Sequence, residues 1–98
     1  QSLVISDTIT TIGNWAFSYC TGLKNIIIGK SVVSIGADVF HGDTMIEKIY
    51  IPPTVRQIGS DAFKDCPNLI ITGESGSEAE TYSFVNGIPF EIESLHIL

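Results

Sequence analysis

"IGNWAF" runs from Ile12 to Phe17, "IGADVF" from Ile35 to Phe40 and "IGSDAF" from Ile58 to Phe63. Each hexad begins 23 residues after the one before it, in a chain of 98. The interval also holds outside the hexads. Without a gap, the columns read Leu3/Ile26/Ile49, Ile5/Ile28/Ile51, Ile9/Val32/Val55, Ala16/Val39/Ala62 and Leu23/Ile46/Leu69, each keeping its size and polarity. A fixed period between about 20 and 50 residues is the mark of a solenoid, because one repeat cannot bury its apolar face alone and must stack it on its neighbours. The fold class expected is therefore an α/β solenoid, a right-handed stack of 23-residue coils with short parallel strands.

Within a coil, "NIIIG" and "KIYIP" are β-branched and alternate, with Ile26 and Ile28, or Ile49 and Ile51, on one face. These segments are short strands. A second extended stretch, "SVVSIG" or "TVRQIG", turns Val32 and Ile35, or Val55 and Ile58, inward across the bend. Gly13, Gly36 and Gly59 then mark a corner that needs either positive φ or a close backbone approach. The following segment, "SDAFKDC" in the third copy, has Asn14, Ala37 or Ser60 at an N-cap position and Asp38 or Asp61 in a first turn. That pattern predicts one short helical or 3-10 turn per coil. Its apolar residues point inward, so Phe17, Phe40 and Phe63 should stack at the roughly 4.8 Å spacing of parallel strands.

The same spacing bears on the cysteines. Cys20 and Cys66 share a column but lie two coils apart, hence roughly 9–10 Å, beyond the ~7 Å Cα limit for a disulfide. Both are expected to be free and buried. Asp43 takes the intervening position of that column and needs a local partner or access to solvent.

After Leu69 the period breaks. A strand from Leu69 to Thr72 leads through a Gly/Ser turn to Ser77, with Glu80 three residues on, the pairing that opens a helix. Asn86-Gly87 ahead of Pro89 closes it, and Phe90 and Ile92 alternate with Glu91 and Glu93 in a last strand. This divides the chain into residues 1–72, three repeats with a truncated first coil, and residues 73–98, a capping helix and strand. Gln1 falls just before the first strand, so the N-terminal coil is expected to be uncovered and to self-associate through Leu3 to Ser6 unless further coils precede it.

Composition excludes several function classes. Hydrophobic residues make up 44% and charged residues 16%, and the formal charge is −6 with five scattered Lys or Arg. That balance argues against nucleic acid and anionic membrane surfaces. No apolar run approaches the ~18–20 residues of a membrane helix, so no membrane insertion is expected of this segment.

The pattern L-x-x-I-x-I-P followed by V-x-x-I-G-x-x-A-F-x-x-C, over roughly residues 3 to 71, resembles the BspA-like class of leucine-rich repeats of bacterial and protist surface proteins. "SGSEAETYSFVNGIPFEI" is similar to the segment that closes such arrays. Ser6 and Gly29 depart from the Pro at position 52, Val39 from Ala, and Asp43 from Cys. The resemblance implies a secreted or cell-surface module that binds a protein or glycan and is not an enzyme. The alternative is a purely structural end of a repeat stalk.

Binding residues are sought in columns that face outward and do not repeat. Ser2/Asn25/Lys48 and Val4/Ile27/Tyr50 are two such columns on the strand face, the second of them apolar. Asn25, Ile27, Lys48 and Tyr50 are the candidate partner-binding residues, with Tyr50 as a rigid anchor beside Lys48. Asp38, Asp61 and Asp65 could cluster around Ca²⁺, but no D-x-D-x-D-G loop is present, and first-turn aspartates explain the spacing. Ser18, His41 and Lys64 share an outward column that could pair Ser with His beside Asp43 or Asp65, but nothing supplies an oxyanion hole. A solvated surface column is the expectation there. The two His and two Cys lack zinc spacing. Hence no catalytic, cofactor or metal site is expected, and no cofactor.

Overall fold

In the computed structural model, which describes residues 2–93, the repeat columns become vertical stacks. The elements are β1 (Ser2–Val4), β2 (Thr11–Ile12), β3 (Asn25–Ile27), β4 (Ser34–Ile35), β5 (Lys48–Tyr50), β6 (Gln57–Ile58), β7 (Ile70–Gly73), α1 (Glu78–Asn86) and β8 (Phe90–Ile92). Two parallel sheets result, in the orders β1-β3-β5-β7-β8 and β2-β4-β6. The register pairs Leu3 with Ile26 and Ile26 with Ile49. The second sheet pairs Ile12 with Ile35 and Ile35 with Ile58. A parallel-strand solenoid of 23-residue coils is thus the architecture, closed by one helix. The last step is shorter: Ile49 pairs with Ile71, an interval of 22, because one residue separates Leu69 from Ile71 where two separate Ile46 from Ile49.

The core fills the space between the two sheets and the side of turns. Val32, Ile35, Val39, Phe40, Ile46, Ile49, Ile51 and Ile71 are essentially inaccessible. The aromatic ladder is present, with ring centroids 5.8 Å apart for Phe17 and Phe40 and 5.3 Å for Phe40 and Phe63. Tyr82 of α1 ends it edge-on at 6.0 Å, and its hydroxyl accepts the Phe63 backbone N–H. Coil one is the least covered. Ile9 is exposed where its column mates Val32 and Val55 are buried, and Phe17 is only half-buried.

The third side departs from the helical turn expected of it. Residues 14–19, 37–42 and 60–65 form successive turns. Trp15, Asp38 and Asp61 share one column, and Tyr19, Gly42 and Asp65 another. All six have φ between 57° and 78°. Asp38 and Asp61 therefore occupy left-handed positions that Asp tolerates better than most residues, and they do not begin a helix. Alternate N–H groups leave the coil and bond to the next one: Trp15, Phe17 and Tyr19 donate to the carbonyls of Ala37, Val39 and His41, and Asp38, Phe40 and Gly42 to those of Ser60, Ala62 and Lys64, at 2.7–3.0 Å.

Of the two readings of the repeated corner glycine, close approach holds at Gly36 and Gly59, while a Cβ at Gly13 would meet nothing. Gly13, Gly36 and Gly59 are absent from the positive-φ positions. A Cβ on Gly36 would meet Asn14, and one on Gly59 would meet the backbone of Ala37, in each case the coil before.

The cysteines are free, as expected, but Cys20 is exposed and Cys66 half-buried. Coil one lacks the cover that its column has lower in the stack. Cys66 donates its thiol hydrogen to the Phe40 carbonyl at 3.2 Å, and burial pushes its pKa up to about 11.

At the C-terminal end Ser77 caps α1, its Oγ accepting the Glu80 N–H, while Glu80 Oε1 accepts the Gly76 N–H at 2.7 Å. Gly87, with φ 68°, ends the helix. Helix α1 buries Ala79, Tyr82 and Ser83 against the last coil. Strand β7 covers residues 70–73, one residue later than expected, and β8 adds to it in parallel with Phe90 half-buried and Ile92 exposed. The position of Gln1 and of residues 94–98 lies outside the described residues.

Candidate interaction surface

The strand face is a flat set of outward columns fixed by the parallel register. Ser2, Asn25, Lys48 and Ile70 lie side by side across β1, β3, β5 and β7, and Val4, Ile27, Tyr50 and Thr72 form the next column, whose Thr72 is fully buried. Because successive side chains on a strand point to opposite faces, burying Leu3, Ile26 and Ile49 obliges their neighbours to face out. Val4 is 67% and Ile27 61% exposed, and Asn25 is exposed. These three side chains form an adjacent patch.

The other two candidates are partly engaged within the chain. Lys48 Nζ lies 3.2 Å from Glu91 Oε1 of β8, with both side chains more than half exposed. Such a pair is worth less than about 1 kcal/mol. Tyr50 is half-buried, and its hydroxyl is shielded with no hydrogen-bond partner among the described residues. Burial, reinforced by the carboxylates of Glu74 and Glu93, raises its pKa. The exposed area of this face thus centres on Val4, Asn25 and Ile27, with Lys48 and Glu91 at its border.

The turn side carries a cluster that the sequence placed in a solvated column. His41 is only 13% exposed. Its Nδ1 is 2.8 Å from Asp38 Oδ1 and its Nε2 3.3 Å from Asp65 Oδ2. The Trp15 ring stacks on it from coil one at 6.0 Å, and Tyr19 tilts over it at 5.2 Å. Gly42 makes room for Tyr19, since a Cβ there would sit 2.6 Å from the tyrosine ring. Ser18 takes no part, its Oγ donating to the Trp15 carbonyl, so no Ser–His pair forms. Asp38 and Asp65 face the imidazole, and among the described residues no group of three His, Cys, Asp or Glu side chains is arranged to hold a metal ion. The cluster joins three coils at one point. Its signal in the sequence was indirect: at the 23-residue period, Asp65 falls one position past the column of His41.

A family model for the BspA type leucine rich repeat region matches residues 1–96 in six copies. The chain belongs to this leucine-rich repeat family. No curated protein and no solved structure matches it. Leucine-rich repeats of this kind are protein-interaction modules and are in general not enzymes. No helix among the described residues is long and apolar enough to cross a membrane.

Proposed function

We propose that this chain is a non-catalytic binding module of a secreted or cell-surface adhesion protein, and that it meets a protein partner through its strand face. The observation that carries the reading is the neighbouring pair Val4 and Ile27, in register on β1 and β3 and each more than three-fifths exposed. Two branched aliphatic side chains held outward on a rigid ladder offer a partner apolar area without an ordering cost. Asn25 and Lys48 supply the polar border that fixes orientation. The bacterial origin and the surface location follow the family's resemblance, which is also where a glycan enters as a second class of ligand.

One observation favours a purely structural alternative. Helix α1 and β8 close the last coil, with Ser77 and Gly87 capping the helix at its two ends, as the end of a stalk requires. Immobilised extracellular-matrix proteins, tested against wild type and the Val4→Glu/Ile27→Glu double variant, separate the two readings. The binding reading expects at least one matrix protein to be held by wild type and about tenfold or more weaker binding by the variant, with an unchanged thermal midpoint. Equal binding by both proteins contradicts the assignment of this face, and retention of none by either supports the stalk.

A further inference from the structure

Asp43 is the only fully buried carboxylate among the described residues. It stands where coils one and three carry Cys20 and Cys66. Its Oδ1 accepts the Cys20 backbone N–H of coil one at 2.6 Å, while its Oδ2 is buried with no hydrogen-bond partner among the described residues. From coil three the Cys66 thiol faces this position but gives its hydrogen to the Phe40 carbonyl, and Asp65 of that coil is turned to His41. From its own coil His41 acts on Asp43 through charge alone, its ring nitrogens being directed at Asp38 and Asp65. A carboxylate enclosed in this way, with half of its acceptor capacity unserved, is costly in its ionised form.

We infer that Asp43 makes the stack acid-stabilised: proton uptake there removes a buried, half-served charge and favours the folded chain as the medium goes from neutral to mildly acidic. The inference is independent of the binding reading. Burial, offset in part by the Cys20 N–H and by His41, pushes the Asp43 carboxyl up from 3.8 to about 6. A carboxyl that holds its proton more tightly in the folded chain than in the unfolded one adds stability that is fully present below the unfolded value and is lost as pH rises through the folded one. The window therefore runs from about pH 4 to about pH 6, with stability rising as pH falls. This is opposite in sign to the behaviour of a salt-bridged aspartate.

Thermal melts at about pH 5 and about pH 7.5 of wild type, Asp43→Asn and His41→Gln test it. Wild type should gain roughly 5 °C more on acidification than Asp43→Asn, and Asp43→Asn, which keeps the acceptor for Cys20, should exceed wild type at the higher pH. His41→Gln should retain the larger part of the wild-type response. The inference is overturned if Asp43→Asn keeps the full response, if the response disappears with His41 instead, or if wild type loses stability on acidification. Should Asp43→Asn fail to fold, exchange of the core Phe40 amide, bonded to the Ala62 carbonyl, in wild type and His41→Gln decides the matter. Protection relative to the intrinsic rate should rise about tenfold across the window, and no rise refutes the inference.

Discussion

The strand side and the turn side of each coil do the same mechanical work with unlike chemistry. On the strand side the backbone is extended and the ladder between coils holds the inward-facing Leu3, Ile26 and Ile49 in register. On the turn side left-handed residues recur at positions 15, 19, 38, 42, 61 and 65, and alternate N–H groups still reach the next coil at strand-like distances. A ladder of backbone hydrogen bonds does not require strands. What it requires is that every coil repeat the same dihedral sequence, and the two sides obtain this differently. One uses residues that favour extension. The other uses Asp and Gly in coils two and three, where positive φ costs less than at most residues, and Trp15 and Tyr19 in coil one.

The comparison is most strongly tested at the centre both sides share. Phe40 is fully buried between Phe17 and Phe63, so Phe40→Ala should cost about 3–5 kcal/mol in chemical denaturation. A loss below about 1 kcal/mol would mean that the two ladders stand without a common core. The next largest effect separates the sides. Asp61 has φ 58°, and Asp61→Val puts a β-branched residue there at a cost of about 1–3 kcal/mol, whereas Gln57→Val on β6, an exposed strand position, should change stability by less than about 0.5 kcal/mol. Equal costs at the two positions would remove the distinction between the sides. The smallest effect belongs to the border of the strand face. Lys48→Met should shift stability by less than about 0.5 kcal/mol, since the exposed pair with Glu91 is screened by solvent. A larger loss would make Lys48 part of the scaffold and no longer a border residue.

Where size and polarity alone identify a position, the sequence was sufficient. The columns Ile26/Ile49 and Ile35/Ile58, the aromatic ladder, and the helix bounded by Ser77 and Gly87 all follow from periodicity and capping chemistry. The left-handed positions of the turn side were not legible because Asp38 and Asp61 suit a helix N-terminus and a left-handed turn equally well. Single-residue preference cannot separate those conformations. Column mates could have helped, since Gly42 and Asp65 share a column, and both residue types favour positive φ. Trp15 and Tyr19 hid the pattern, being bulky residues in left-handed positions whose rings are accommodated over His41. Burial at the first coil was overestimated for a related reason. Cys20 and Ile9 match buried columns, but exposure depends on what stacks above a residue as well as on its type. On the strand face, the register gave the outward residues, while the pairing of Lys48 depends on β8, which lies beyond the repeat.

Amide hydrogen exchange resolved by residue gives the most direct measurement of whether the turns are a second ladder. The N–H groups of Asp38, Phe40 and Gly42, bonded to the carbonyls of Ser60, Ala62 and Lys64, should be protected to within about tenfold of the amides of β3 and β5 in the facing sheet. Exchange of these three at the rate of an open loop, with the strand amides still protected, would contradict the account and leave the solenoid with a laddered strand side and a merely tethered turn side.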